Sequence, residues 1–344
     1  MTAATILITG AVSQAVPDFF KEENTMNTNK PYEIIADTRK MSHQDWLAMR
    51  KAGIGGSDCA AAVGLSRWKS PFQLWSEKTD RIVPTKASEC LYWGSVMEKI
   101  LFAETKKRRP ELEVHELPAF LRSTEYPYML ANLDGYIKNP DGTYSVLEIK
   151  TANAFAAQDW QNGLPIEYYC QIMHYMAVTG MASAYVAVLI GGNTFEIQKY
   201  DRDEDMIQHI IQMEKHFWNE YMLKDTPPEA TAKDNEFLGQ LYPKSEEKAI
   251  EMPAQAKDIL EDYEKACHDL ALAKEAKEEA EAKLKLMLAN AEVGISGNYK
   301  VSWKNVSTTR LDSKKVKALL TEEQLQSCSN TTTTRKFSVG ARKK

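Results

Sequence analysis

The chain has 344 residues, enough for a full core and more than one average domain, with 43 Lys and Arg against 48 Asp and Glu and a formal net charge of −5. That charge gives no global nucleic-acid signature, although an enzyme that binds DNA needs only a locally positive groove. The five cysteines, at 59, 90, 170, 267 and 328, are odd in number and never spaced C-x-x-C, which argues for a reducing compartment without a disulfide framework, structural zinc or iron–sulfur cluster; no apolar run is long enough to span a membrane.

In chain order, residues 1–30 read as a flexible extension. Residues 3–12 are apolar but no Lys or Arg precedes them, so the likeness to a secretory signal is superficial, and Met26 is an alternative start. Ser42-His43-Gln44-Asp45 has the form of a capping box and predicts a short helix through Arg50 and Lys51 that Gly53 ends. A Gly55-Gly56-Ser57-Asp58 turn then opens an alanine-rich helix ending at Gly64. Helices are expected over 71–78 and about 88–108, followed by strand-like runs at 113–121, 128–138 and 143–151. Helices at 155–161 and 166–179 precede a second hairpin, 184–190 and 195–200, turning at Gly191-Gly192-Asn193. Met206, Ile207, Ile210, Ile211, Phe217, Trp218 and Tyr221 mark an amphipathic helix that stops before Pro227-Pro228. The fold class expected is α/β, a mixed central sheet flanked by helices, with a C-terminal helical extension.

Beyond Pro228 the composition shifts. Glu, Lys and Ala dominate 245–292, which reads as one long helix with Ile259, Ala266, Ala273, Ala280 and Met287 every seven residues; Tyr263, Leu270 and Leu284 hold the companion positions, and Lys277 breaks that series. The tail offers a strand at 299–306 and a helix at 314–320, then ends basic with Arg335, Lys336, Arg342, Lys343 and Lys344. The domain organisation expected is a flexible 1–30, a catalytic domain 31–228, a linker and long helix 229–296 and a small basic segment 297–344.

The chemistry concentrates around Asn139-Pro140-Asp141-Gly142. In a hairpin built on a type I turn, Pro140 and Asp141 take the central positions and Gly142 the left-handed bulge, so Asn139 faces Thr143. The same register carried outward sets Asp134 opposite Glu148, with Lys150 two residues on and on the same face. Opposed carboxylates repel, and a divalent cation is the natural reason to keep them. A surface hairpin with solvated charges is the plainer reading, but Met129-Leu130-Ala131 leads into Asp134 while Tyr144, Val146, Leu147 and Ile149 surround Glu148, an apolar setting for a solvated turn.

Metal-assisted phosphodiester hydrolysis needs carboxylates to hold the cation, a group to activate water, and positive charge for the developing phosphorane. Asp134, Glu148 and the Ile149 main-chain carbonyl fit the first role, and Lys150 fits the other two. Glu98 shares a predicted helical face with Leu91, Gly94, Leu101 and Phe102, so it is expected to be buried and to join the metal site directly or through water; a salt bridge to a core arginine is the alternative. Gln171 and Tyr175 stand one helical turn apart below Tyr168, placed either to hold a water or the scissile strand or simply to line the core. Arg50 and Ser57, with Gly55 and Gly56 for close backbone approach at a helix N-terminus, suggest an anion site, though the glycines also suit a tight turn.

Taken together, Gly53-Ile54-Gly55-Gly56-Ser57-Asp58, Gly64-Leu65-Ser66-Arg67-Trp68-Lys69-Ser70-Pro71, Gly94-x-x-x-Glu98, Leu133-Asp134-Gly135, Leu147-Glu148-Ile149-Lys150 and Gln171-x-x-x-Tyr175 resemble the YqaJ-type viral recombinase family. These are lambda-exonuclease-like members of the PD-(D/E)xK nuclease superfamily, and the resemblance covers roughly 38–227. Asn132-Leu133 stands where the superfamily's name has proline before the aspartate. The resemblance implies a restriction-endonuclease-like core and a Mg2+-dependent exonuclease, Mn2+ substituting, that degrades one strand of linear double-stranded DNA from its 5′ end. The resulting 3′ overhang serves a phage single-strand annealing protein in the cytoplasm of a bacterial host. It further implies that Asp134 and Glu148 hold the metal, Lys150 is the catalytic lysine, Glu98 is the helix-borne glutamate and Gln171 the active-site glutamine. Arg50 and Ser57 match the pocket for the 5′-terminal phosphate, Trp68 and Lys69 are candidates for contacting or splitting the duplex end, and the implied assembly is a homotrimeric ring threaded by DNA. The competing readings are a related nuclease of different polarity and a non-catalytic DNA-end-binding scaffold, which has no need of a costly carboxylate cluster.

Overall fold

Pro140, Asp141 and Gly142 make the turn that their chemistry dictates. In the computed structural model, which describes residues 30–82, 89–332 and 334–340 (Lys40 by its backbone alone), Asn139 N–H donates to the Thr143 carbonyl at 2.8 Å and Gly142 N–H to the Asn139 carbonyl at 2.9 Å. Gly142 takes the left-handed φ of +83° that the bulge requires. The extension 1–29 with Met26, the expected helix start at Ser88, and the tail residues Arg342, Lys343 and Lys344 lie outside the described residues.

From the N-terminal side, β1 (Tyr32–Asp37) leads to α1 (His43–Lys51), whose N-cap Ser42 accepts the Asp45 N–H. Gly53 is not its left-handed terminator. The need there is space, because a Cβ at Gly53 would lie 2.5 Å from the Tyr128 carbonyl oxygen. Next come β2 (Ile54–Gly55), α2 (Gly56–Ala62), α3 (Pro71–Lys78) with Ser70 as its cap, and α4 (Glu89–Arg108). Five strands follow: β3 (Glu113–His115), β4 (Ala119–Ser123), β5 (Met129–Ala131), β6 (Gly135–Lys138) and β7 (Tyr144–Ala152). After a short helical segment, Ala154–Trp160, α5 (Ile166–Thr179) runs to a left-handed Gly180; β8 (Ser183–Ile190), β9 (Thr194–Asp201) and α6 (Glu204–His216) complete the series, α6 continuing as a π-helical turn through Met222.

The strands form two sheets. One has the order β3-β6-β7-β8-β9, with β7 and β8 parallel and the other pairs antiparallel; the second has the order β1-β4-β5-β2, with β2 and β5 parallel. The expected runs 113–121 and 128–138 are therefore each two strands, one in either sheet. They break at Leu117-Pro118, where proline has no N–H for a ladder, and at Asn132-Leu133-Asp134. Asp134 thus stands where the chain passes from one sheet to the other. β7 is buried from Ser145 to Ile149, as a central strand covered on both faces should be. Helix α5 supplies much of the core: Cys170, Ile172, Met173, Met176 and Val178 are fully buried among residues of α2, β4, β5 and α6. The class is a mixed α/β fold with sheets flanked by helices.

The described chain divides into two units, the first reaching Tyr242 and the second beginning at Pro243. Packing of the first unit thus continues past Pro228: α7 (Asn235–Leu241) follows the buried Asp234, which accepts a hydrogen bond from Ser70 Oγ, and Phe237 meets Phe72 with ring centroids 6.0 Å apart. In the second unit α8 (Ala256–Leu288) is shorter than the expected 245–292, and the hairpin of β10 (Val293–Ser296) and β11 (Tyr299–Ser302) turns at left-handed Gly297. Two short helices, α9 (Ser313–Leu319) and α10 (Glu322–Ser327), follow. Ile259, Tyr263, Leu270, Leu284 and Met287 of α8 are exposed, and its surface is laced by i,i+4 pairs such as Lys274–Glu278 and Lys285–Glu281. Among the described residues no helix is long and apolar enough to cross a membrane.

Candidate active site

The β6–β7 ladder ends at Gly135↔Leu147, one pair short of Asp134 and Glu148. Beyond it Asp134 bends in to accept the Ile149 N–H on Oδ2 at 2.7 Å, which fixes it beside the segment that carries Glu148 and Lys150. Gly135 is required at this crossing, since a Cβ would come within 2.7 Å of the His115 carbonyl and 2.8 Å of the Phe102 ring. Glu148 is 1% exposed. Its Oε1 accepts from Lys150 Nζ and, at 2.6 Å, from Gln171 Nε2, whereas its Oε2 is buried without a hydrogen-bond partner. Gln171 also reaches Tyr175 Oη at 3.2 Å, and Tyr175 donates to the Asn132 carbonyl at 3.0 Å.

Burial, and then the Asp134 charge, push the Glu148 carboxyl up to about 8 despite the neighbouring Lys150. Burial likewise raises Asp134, with Lys150 and the Ile149 N–H opposing. For Lys150 burial alone would lower the ammonium, but Glu148 and Asp134 outweigh it and hold it above the ordinary lysine value. One ammonium therefore faces two carboxylates, and one buried carboxylate oxygen has nothing to bind. An all-oxygen donor set with that deficit fits a hard divalent cation.

Glu98 is not buried in the core as the helical pattern predicts. Only Leu101, Phe102 and Thr105 of α4 are buried; Leu91 is exposed and Glu98 keeps access to solvent, because the first half of the helix does not pack down as the second half does. Its carboxyl is nevertheless pushed up to about 7, first by partial burial and then by the Asp134 charge, so it lies within electrostatic reach of the same cluster.

A second constellation lies at the start of α2. Arg50 Nη2 donates to Ser57 Oγ at 2.7 Å and to Asp58 Oδ1 at 3.1 Å, and the Arg50 guanidinium lies 4.9 Å from the Trp46 ring centroid. Buried Lys78 Nζ donates to Asp58 Oδ2 at 2.9 Å and to the Arg50 and Gly53 carbonyls. Burial would raise Asp58, but Lys78 and Arg50 hold it well below the usual carboxylate range. Gly56 serves space, since a Cβ there would meet the Tyr175 ring at 2.4 Å, whereas one on Gly55 would make only an ordinary contact with Asp58 at 3.8 Å. The sequence reading missed Lys78, Asp58 and Trp46, although a lysine in the last turn of a short helix carries no signal of its partner 20 residues away.

Trp68 is 57% exposed and lies 5.7 Å from Tyr168, which stacks on Trp160 at 5.4 Å and has Lys150 Nζ 5.0 Å from its centroid. This aromatic series reaches from the surface to the carboxylate cluster. Lys69 is directed elsewhere, to an ion pair with Glu77. Beyond Trp68 a cleft of about 510 Å3 is lined by Arg67, Asp159, Glu167 and Lys233, but Arg67 is already paired with both acids.

Comparison with known proteins adds family membership. A family model of the YqaJ-like viral recombinase domain matches residues 45–182. The uncharacterized protein YqaJ of Bacillus subtilis is 36% identical over 297 residues, spanning 84% of this chain and 92% of that protein. Among solved structures, an alkaline exonuclease from Laribacter hongkongensis aligns with a TM-score of 0.45 at 18% identity, covering 53% of this chain and 93% of the other. A phage-related exonuclease from Haemophilus somnus 129PT aligns at 0.37 and 11%, covering 52% and 99%. The identity to the Bacillus protein extends along most of both chains, and this chain belongs to the YqaJ-like viral recombinase family.

Proposed function

We propose that the chain is a Mg2+-dependent exodeoxyribonuclease that removes one strand of linear duplex DNA from its 5′ end and leaves a 3′ overhang for recombination by strand annealing. The observation that carries this reading is the convergence of Asp134, Glu148 and Lys150 around a buried, unpartnered carboxylate oxygen. Asp134, Glu148 and the Ile149 carbonyl are the residues to hold the cation, with Glu98 as a direct or water-mediated contributor. When bound, the cation supplies Lewis acidity at the scissile phosphate.

The chain's own groups do the rest. Lys150, ionised and held against Glu148, positions and polarises the attacking water and offsets charge on the phosphoryl oxygens. Gln171 keeps Glu148 oriented, and Tyr175 ties Gln171 to the β5–β6 connection that carries Asp134. Arg50 and the exposed Ser57 hydroxyl, with Gly55 and Gly56 giving close backbone approach, receive the 5′-terminal phosphate, and Trp68 offers a face to the terminal base pair. Enclosure of DNA in a homotrimer belongs to the same proposal, as does contact of residues 245–344 with an annealing protein or a neighbouring subunit in the bacterial cytoplasm. Deleting 245–344 without effect on assembly, partner binding or digestion removes that last element.

The decisive experiment is a time course on linear duplex carrying one labelled 5′ phosphate, with and without Mg2+. Metal-dependent release of labelled mononucleotide at the earliest times is the expected result. Release from the 3′ end first indicates a related nuclease of other polarity, and end binding without cleavage at any metal concentration indicates a scaffold.

A further inference from the structure

A second group of metal-binding side chains lies in the core, where no step of the proposed reaction uses it. Cys59 of α2, His174 of α5 and Glu214 of α6 are each 0% exposed, and their ligand atoms all lie within 4.8 Å of one another. His174 Nδ1 stands 2.8 Å from Glu214 Oε1, and His174 Nε2 stands 2.9 Å from the Leu130 carbonyl. Glu214 Oε2 is buried with no hydrogen-bond partner. The Cys59 thiol touches Glu214 on one side and the fully buried Cys170 on the other. Cys170 and His174 are one turn apart on α5, so both present to the same point.

We propose that Cys59, His174 and Glu214 form a structural zinc site that joins α2, α5 and α6. A metal-bound histidine commonly donates its second ring N–H to a carbonyl, as Nε2 is placed to do with Leu130, and this leaves the Nδ1 lone pair for the ion. Zinc bonds of about 2.0–2.3 Å put tetrahedral ligands about 3.5 Å apart, so His174 and Glu214 would part slightly from 2.8 Å while all three ligand atoms already lie within 4.8 Å of one another. Cys59 thiolate and Glu214 carboxylate together neutralise the ion, so no net charge is left in the core. A plain imidazolium–carboxylate pair would satisfy both histidine nitrogens but leave the second Glu214 oxygen with at most the Cys59 thiol, a weak donor, beside it. Thiolate and imidazole favour zinc here, just as the all-oxygen cluster at Glu148 favours magnesium. The absence of C-x-x-C spacing does not bear on ligands that come from three separate helices.

The test uses the full chain expressed in zinc-supplied medium and purified without chelator. One equivalent of zinc per chain by elemental analysis is expected, with a thiolate-to-cobalt charge-transfer band after exchange with Co2+. Cys59→Ser is expected to lose the band and Glu214→Gln to lose the zinc, while Asp134→Asn keeps both. Should Cys59→Ser fail to fold, the isosteric Glu214→Gln decides. Native protein that is folded yet takes up no zinc, or zinc retained at full stoichiometry by Glu214→Gln, overturns the site and leaves the nuclease reading untouched.

Discussion

Asp58 and Glu148 are both buried carboxylates, yet their surroundings push them in opposite directions. Asp58 has a cation on each oxygen, Arg50 on one and Lys78 on the other, and stays ionised. Glu148 shares one lysine with Asp134, keeps one oxygen unpartnered, and rises to about 8. The first region is complete as it stands. The second carries a deficit of positive charge, and on the proposed reading that deficit, more than the presence of acidic residues, is where a cation would bind.

The comparison breaks most sharply at the deficient site. Asp134→Ala and Lys150→Ala are each expected to lower digestion by at least about 100-fold with melting temperature little changed, measured by the labelled-duplex assay and thermal denaturation. At the balanced site the same kind of change should strike stability instead. Asp58→Ala strands buried Lys78 without its partner and is expected to cost about 3–5 kcal/mol in denaturant unfolding. An unfolding curve unchanged by Asp58→Ala would contradict the balance described here.

Smaller effects sharpen the contrast. Arg50→Ala is expected to remove about 10-fold of a preference for 5′-phosphorylated over 5′-hydroxyl ends, because a charge-assisted hydrogen bond to the phosphate is lost. Retention of the full preference would move the phosphate pocket elsewhere. The pH dependence follows from the raised carboxyls. In metal-free protein Glu148 binds its proton more tightly than it does unfolded, so its contribution to stability is intact below the ordinary glutamate range and is lost as pH climbs through about 8. On the proposed reading magnesium competes with that proton and with the one on Glu98 near 7, so apparent metal affinity of the native chain should rise between about pH 6.5 and 8.5.

What was legible in the sequence was local. Asn139-Pro140-Asp141-Gly142 fixes its own turn and hence the register that brings residues 134, 148 and 150 to one place, and the cap at Ser42 sets where its helix begins. The division of 113–121 and 128–138 between two sheets was not legible, because periodicity along a strand says nothing of which sheet receives it. Glu98 was misread for a related reason: a helical face is apolar by pattern whether or not the neighbouring layer reaches it. Lys78 beneath Asp58, and His174 with Cys59 and Glu214, are pairings between distant segments, which only tertiary packing creates.

The most direct test of the central claim is calorimetric titration of magnesium into the native chain and into Glu148→Gln, repeated in buffers of different ionisation enthalpy near pH 7.5. The charge deficit predicts uptake by the native chain with proton release, and loss of both in the variant. No uptake, or uptake that the variant matches without proton release in either, would contradict a cation completing the cluster of Asp134, Glu148 and Lys150.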